Sequence, residues 1–348
     1  MRKLNTKIIV LCISIMFILS FITGCGSQTV EAPPANERTV VDMAGRTVTL
    51  PAEINSIGTF GSIGVLNTFV ELMGEGDKIC NEMSPRFTKT DKWNYQYKFA
   101  PQIKGSPVFQ DANDEISMEV VLKTKPDICL TMNKETIELL EKQGLSVIYL
   151  NWNKDEDVKQ CITLLGEVLN KQEVANDYIK YFDDMVAKAE ELTKNLKVED
   201  KKKVLYGNIT EFNQPHLIAE WWIPKAGGIS VTDNGRTTNK LDYTTEDILQ
   251  WNPDVMVIAT ASTKSDLLAD PKIAGVTAVK DNVIYATPTV AHTWGNRTPE
   301  QPLTIMWMMH KLYPEIKSQK DLAEDIRYFY SHFFKYEMSD EEIAKIIG

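Results

Sequence analysis

Two stretches of this chain read alike: Ser117-Met-Glu119-Val-Val-Leu122-Lys-Thr-Lys-Pro126-Asp127-Ile128 and Thr244-Thr-Glu246-Asp-Ile-Leu249-Gln-Trp-Asn-Pro253-Asp254-Val255. Glu, Leu, Pro and Asp recur at one fixed offset of 127 positions, with no gap between the copies. Each copy predicts the same unit. Ser or Thr can cap a helix start. A short helix then carries Leu122 or Leu249 inward. Pro ends the helix and pushes its predecessor toward extended geometry. An apolar strand follows, Ile128-Cys-Leu130 in one copy and Val255-Met-Val-Ile258 in the other. One such unit in each half of the chain predicts two related lobes.

The chain has 348 residues, long enough for two domains or one large one. It is 43% hydrophobic and 25% charged, a globular composition. Its net charge of −10 argues against general nucleic-acid binding, which needs a cationic face. The five cysteines show no C-x-x-C pair and no zinc spacing. Cys80, Cys129 and Cys161 are isolated and read as small buried hydrophobes.

The amino terminus has the pattern of a secretion signal. Arg2, Lys3 and Lys7 precede Ile8 to Ile22, an apolar run too short for a stable membrane span. The run closes in Ile22-Thr-Gly24-Cys25, which resembles the bacterial lipoprotein signal, with residues 1–24 removed and Cys25 lipid-modified. Several acyl chains, at about 0.8 kcal/mol per buried methylene, would hold the protein on the cell membrane, outside the cytoplasm. Residues 25–38, containing Glu31-Ala-Pro-Pro-Ala-Asn36, read as a flexible tether.

Beyond the tether, Val40 to Pro51 reads as a hairpin turning at Ala44-Gly45. Residues 81–112 are irregular and rich in Pro, Trp and Tyr, as functional loops often are. Strands alternate with helices, so residues 39–171 and 197–348 each predict an α/β lobe around a mainly parallel sheet. Between them, residues 172–196 predict a long helix. Ala175, Tyr178, Phe182, Val186 and Ala189 fall on one side of it. At 1.5 Å per residue it would span roughly 37 Å.

These residues carry a family resemblance. The opening Asp42-Met-Ala-Gly45-Arg46-x-Val48-x-Leu50-Pro51, the paired Glu-x-x-Leu-x-x-x-Pro-Asp units and the long helix resemble class III substrate-binding proteins of bacterial ABC importers. Trp294-Gly295-x-x-x-Pro299-Glu300, with Trp307 and Leu312-Tyr313-Pro314, is similar to members that serve iron complexes. The resemblance implies two similar α/β sandwich lobes, a long rigid inter-lobe helix and a ligand cleft between the lobes. It also implies a monomer without enzymatic activity or cofactor, which passes its ligand to a permease dimer driven by ATPase subunits. Glu119 and Glu246 match the glutamates with which the family docks on that permease.

In such a cleft, loops at strand ends supply the contacts. The candidates are Phe60, Arg86, Trp93, Met132, Asn133, Trp221, Trp222, Arg236, His292, Trp294 and Arg297. Arg forks pair with oxyanions. Phe and Trp faces cover flat apolar or chelate surfaces, and Trp221 and Trp222 would present one face if they lie on a strand. His292 could hydrogen-bond an anion or ligate a metal. His216, His310 and His332 read as helix or packing residues. The cobalamin-binding member has an aromatic six residues before each repeated Glu, where this chain has Asn113 and Lys240. That favours a polar, anionic ligand, and the resemblance to members that serve iron complexes implies an iron chelate of the ferric siderophore kind. The alternative is a bare metal or an oxyanion such as molybdate. A lipid-anchored surface hydrolase is the reading from another class, and the chain lacks G-x-S-x-G, H-E-x-x-H and phosphate-loop motifs.

Overall fold

A computed structural model of the chain describes residues 38–348, apart from 62–63, 153 and 155–156. The leader, Cys25 and the tether up to residue 37 lie outside the described residues. Arg38, the last position assigned to the tether, already belongs to the first strand.

The first half contains β1 (Arg38–Val41), β2 (Thr47–Leu50), β3 (Ile57–Phe60), α1 (Val65–Leu72), α2 (Met118–Thr124), β4 (Ile128–Thr131), α3 (Lys134–Glu141), β5 (Val147–Tyr149) and α4 (Asp157–Leu169). Helix α5 (Gln172–Thr193) follows. The second half contains β6 (Lys203–Gly207), β7 (Asn213–Gln214), α6 (Ala219–Lys225), β8 (Ile229–Ser230), β9 (Leu241–Asp242), α7 (Thr245–Trp251), β10 (Val255–Ile258) and β11 (Ile284–Ala286). Three helices close the chain, α8 (Gln301–Leu312), α9 (Gln319–Phe333) and α10 (Asp340–Ile347).

Two parallel sheets organise these elements. One has the order β3-β4-β5, the other β11-β10-β6-β8. Strands β3, β4 and β10 are buried on both faces, as helices packed on either side require. The opening hairpin, β1 with β2, is antiparallel. Asp42 organises its turn by accepting from the Ala44 and Arg46 amides and pairing with the Arg46 guanidinium. The same carboxylate accepts from the Tyr149 amide at 3.1 Å, which fastens the hairpin to β5.

The repeat has a structural cause. Helices α2 and α7 end the same way, at Lys125 and Asn252, both in the left-handed region (φ 53° and 42°). Their amides reach back to Val121 and Ile248, each at 2.9 Å. Pro then stops the helix, and Asp opens the next strand. Asp127 accepts from the Asn55 and Ser56 amides just before β3. Asp254 accepts from the Lys203 amide at the start of β6. Each Asp thus sets the register between its own strand and its neighbour.

Two details of the unit differ from expectation. Leu122 and Leu249 are exposed, at 36% and 47%, while Val121 and Ile248 are fully buried. Successive helical residues turn by about 100°, so a seven-residue helix with its preceding apolar residue inward must aim the leucine out. The caps also differ. Thr244 forms a reciprocal capping box with Asp247, whereas the Ser117 side chain makes no cap bond. Neither Glu119 nor Glu246 supplies the capping carboxylate.

Helix α5 is 22 residues long, about 33 Å, slightly shorter than expected. Its buried stripe is Ala175, Tyr178, Phe182, Met185 and Ala189. It packs on α4 from the first half and on α6 and α8 from the second. The last two helices reach the first half. Tyr330 and Phe334 of that region pack on Phe99, with ring centroids 5.8 and 4.8 Å apart, and Lys98 pairs with Glu342. One continuous apolar core therefore includes Ile57 and Leu130 from one sheet and Val204 and Val257 from the other.

Candidate ligand-binding cleft

Because each sheet is parallel, the carboxyl ends of its strands lie along one edge, and the loops leaving those ends meet in a cleft. Val65 at the start of α1, Met132 after β4 and Trp152 after β5 form one wall. His216, Asn239, His292, Asn296 and Arg297, from loops of the second half, form the other. They enclose a cavity of about 320 Å³. A neighbouring space of about 260 Å³ shares His216, His292 and Asn296 with it. It adds Lys92 and Trp93 from one side, and Asn208 and Ala259, which follow β6 and β10, from the other.

The loop after β11 carries most of these contacts, and hydrogen bonds fix its shape. The Thr287 amide donates to Ile258 and the Trp294 amide to Pro288. Gly295 adopts φ 86°, where a side chain is disfavoured. Its amide donates to Thr304 Oγ1 at 3.2 Å, and its carbonyl accepts from Trp222 Nε1 at 3.4 Å. Across the cleft, Gly64 begins α1. A Cβ there would meet the Trp93 ring at 3.3 Å and the His292 ring at 3.4 Å, so glycine permits that close approach.

The cleft is rich in donors and potential positive charge. Lys92, Arg297 and two imidazoles line it, with the amides of Asn208, Asn239 and Asn296, and no carboxylate lines it among the described residues. Burial lowers the His292 pKa to about 4, so the ring is neutral at pH 7. His216 moves the same way, through burial and then the charge of Arg297. Lost hydration likewise lowers the Lys92 pKa, although the residue as a whole is exposed. Arg297 Nη2 donates to Asn239 Oδ1 at 3.3 Å, tying two lining residues together. The His292 ring lies 5.1 Å from the Trp93 ring, centroid to centroid. Such a cavity suits a ligand with negative oxygens, and its two neutral imidazoles could instead meet a metal. Among the described residues no cluster of three or more His, Cys, Asp or Glu could hold a metal ion by itself.

The structure places His292, Arg297, Trp93 and Met132 in the lining of this cleft. It places the other candidates elsewhere. Phe60 is fully buried and stacks on Phe109 at 5.4 Å, beneath the cleft rather than in it. Arg86 is exposed, pairs with Asp114 at 3.1 Å and covers the Phe87 ring. Trp221 and Trp222 lie on helix α6, not on a strand, because Ala219, Trp222 and Ile223 bury one face at helical spacing. Trp221 packs on Phe182, and Trp222 supports the cleft loop from behind through Gly295. Arg236 is buried against Glu220 at 3.0 Å. Trp294 is fully buried, with Nε1 donating to Glu300.

His216, read as a packing residue, lines the cleft instead. Lys92, Trp152, Asn208, Asn239 and Asn296 also line it and were not singled out. Asn208 could have been found, since it directly follows an expected strand. Asn239 and Asn296 sit in loops whose paths no periodicity describes. His310 does serve the fold, with Nδ1 2.9 Å from the Lys317 carbonyl, as does His332, paired with Asp177 at 2.5 Å.

Comparison with known proteins places this geometry. The family profile described as periplasmic binding protein matches residues 78–291, more than half of the chain. The molybdate-binding protein MolA of Haemophilus influenzae is 23% identical, covering 95% of this chain and 100% of that protein. The iron(3+)-hydroxamate-binding protein YxeB of Bacillus subtilis is also 23% identical, over 58% of this chain and 56% of that protein. A periplasmic solute binding protein of Veillonella parvula superposes with a TM-score of 0.76 at 24% identity, covering 89% of this chain and 97% of that one. The chain thus belongs to the periplasmic binding protein family, in its two-lobed class III, whose members are not enzymes but the extracytoplasmic solute-binding components of ABC importers.

Proposed function

We propose that this protein captures an anionic ferric chelate in the cleft and delivers it to an ABC permease. The observation that carries this reading is the lining, which joins Lys92, Arg297 and neutral imidazoles to the aromatic faces of Trp93 and Trp152, without a carboxylate among the described residues. Charged donors answer negative oxygens, and ring faces cover a chelate's apolar surface. The first space alone, about 320 Å³, leaves room for more than a single small ion. The likeness to an iron(3+)-hydroxamate-binding protein supports the same reading.

A second reading is favoured by a separate observation. The molybdate-binding protein MolA matches this chain over its full length, and its molybdate-bound structure superposes with a TM-score of 0.73. On this reading the asparagine amides and His292 hold a tetrahedral oxyanion. Titration with ferric hydroxamates, molybdate and tungstate, followed by tryptophan fluorescence, separates the two. Ferric hydroxamate binding that weakens about tenfold or more in Arg297→Gln supports the chelate. Binding of molybdate alone replaces it with the oxyanion, and failure of all three rejects both.

The proposal includes a lipid anchor at Cys25 and docking through Glu119 and Glu246. The anchor rests on Ile22-Thr-Gly24-Cys25 closing an apolar run. The native protein should partition into the detergent phase of an extraction, and Cys25→Ala should not. A native protein found wholly in the aqueous phase would remove the anchor.

A further inference from the structure

Glu300 is a fully buried acid with an unusual set of partners. It stands at the position just before helix α8, where an acidic side chain ordinarily caps the helix, yet its side chain makes no cap bond. Its oxygens are used elsewhere. Oε1 accepts from the Ala291 amide at 3.0 Å, from Trp294 Nε1 at 3.1 Å and from the Tyr330 hydroxyl. Oε2 accepts from the His292 amide at 2.8 Å. Three of these four donors belong to the loop that crosses the cleft. That loop is held from the other side too, where Gln96 Nε2 donates to the Ala291 carbonyl at 2.8 Å.

A buried acid is a costly way to hold a loop. Desolvation penalises it, and apolar packing usually stabilises a fold as well. What the carboxylate supplies that packing does not is direction. Two acceptor oxygens draw successive amides, Ala291 and His292, toward one point. That fixes the peptide plane on which the His292 side chain stands, and the ring lines both spaces. We propose that Glu300 is the positioning residue of the cleft, acting on the ligand through His292 without touching it. This inference rests on the reading of the cleft as the ligand site, and it moves the functional weight of the Trp294-to-Glu300 motif from the tryptophan to the acid.

Glu300→Gln tests it in the full chain. Glutamine keeps the volume but offers one acceptor oxygen and an NH2 group, which opposes at least one of the four donors. The comparison variant is Glu71→Gln. Glu71 is also a buried acid, and it reaches the cleft loop only indirectly, by accepting from Gln96 Nε2 at 3.3 Å, with no bond of its own to the loop. Two readouts are taken at pH 8, where Glu300 is ionised, and well below either unfolding transition. One is the affinity for ferric hydroxamate and for molybdate. The other is the ring resonance of His292 in the ligand-free protein, assigned with His292→Gln. The expected result is a tenfold or greater loss of affinity for whichever probe the wild type binds, with a displaced His292 resonance, in Glu300→Gln only. Glu71→Gln should change the melting temperature and leave affinity within twofold.

Equal affinities and an unmoved resonance in Glu300→Gln would overturn the proposal and leave Glu300 as packing. So would the same loss in both variants. If neither probe binds the wild type, the proposed ligands fall, and the His292 resonance still decides the positioning role. If Glu300→Gln does not fold, Tyr330→Phe removes one donor to the same carboxylate. It should shift the His292 resonance and weaken binding several-fold, and no change in either would reject the role.

Discussion

Arg236 and Glu300 show how burial reassigns a charged residue. In the sequence Arg236 resembles an anion contact. In the fold its guanidinium faces Glu220 at 3.0 Å, with both side chains nearly shielded from water, and Nη1 donates to the Thr232 carbonyl. Breaking such a pair from one side leaves an uncompensated charge. Arg236→Gln should therefore lower stability by about 3 kcal/mol in denaturant unfolding while ligand affinity stays near wild type. A selective loss of affinity would return Arg236 to the ligand site. Glu300 adds a pH dependence. Burial raises its pKa to about 7, against the donors that pull it down. Between about 4.5 and 7 the folded chain keeps a proton that the unfolded chain has released. Stability should then fall as pH rises through that window, by roughly 3 kcal/mol for this group, and level off above it. Glu71, shifted the same way by burial and by Glu300, adds to the decline. Thermal melts from pH 5 to 8 should show a shallower slope in Glu300→Gln than in the wild type.

The repeated helix-turn-strand unit is where local sequence and local structure agree best. Its helix ends, prolines and aspartates repeat because the backbone geometry repeats, down to the left-handed residue before each proline. Lys125 pays a steric penalty there that glycine does not. Lys125→Gly should raise stability by about 0.5–1 kcal/mol. Asp127→Ala should lower it by about 1–2 kcal/mol, more than Asp254→Ala, because Asp127 receives two amides and Asp254 one. Thermal denaturation of the three variants checks both signs. The leucine of each unit was misread because a short amphipathic helix fixes a periodicity without fixing its phase. Val121 and Leu122 are adjacent apolar residues, and only the sheet beneath decides which one turns inward.

In the whole molecule, equivalent positions in two similar lobes present Glu119 and Glu246 on the exposed first turns of α2 and α7. Neither carboxylate caps its helix, so a purely local role has lost its support. Surface charges of this kind act on encounter and salt dependence. The double variant Glu119→Ala/Glu246→Ala should bind ligand and melt like the wild type. Ligand-stimulated ATPase activity with the partner permease in reconstituted membranes should drop sharply. Undiminished activity would end the docking proposal.

By itself, the sequence determined the alternation of helices and strands around the repeated units, the parallel sheets and the long helix between halves. These follow from local chemistry: apolar periodicity, helix stops, and aspartates that bond to the next chain segment. His292 and Arg297 were legible for a related reason, since they closely follow a strand whose carboxyl end must open on the cleft. Tertiary structure decided the rest. Phe60, Trp222 and Trp294 were drawn into the core because large apolar rings gain most from leaving water. His216, Lys92 and three asparagines came to the cavity from loops far apart in the chain. Residue type states what a side chain can do, but whether it does so for the ligand or for the fold depends on which surface the packed chain leaves open around it.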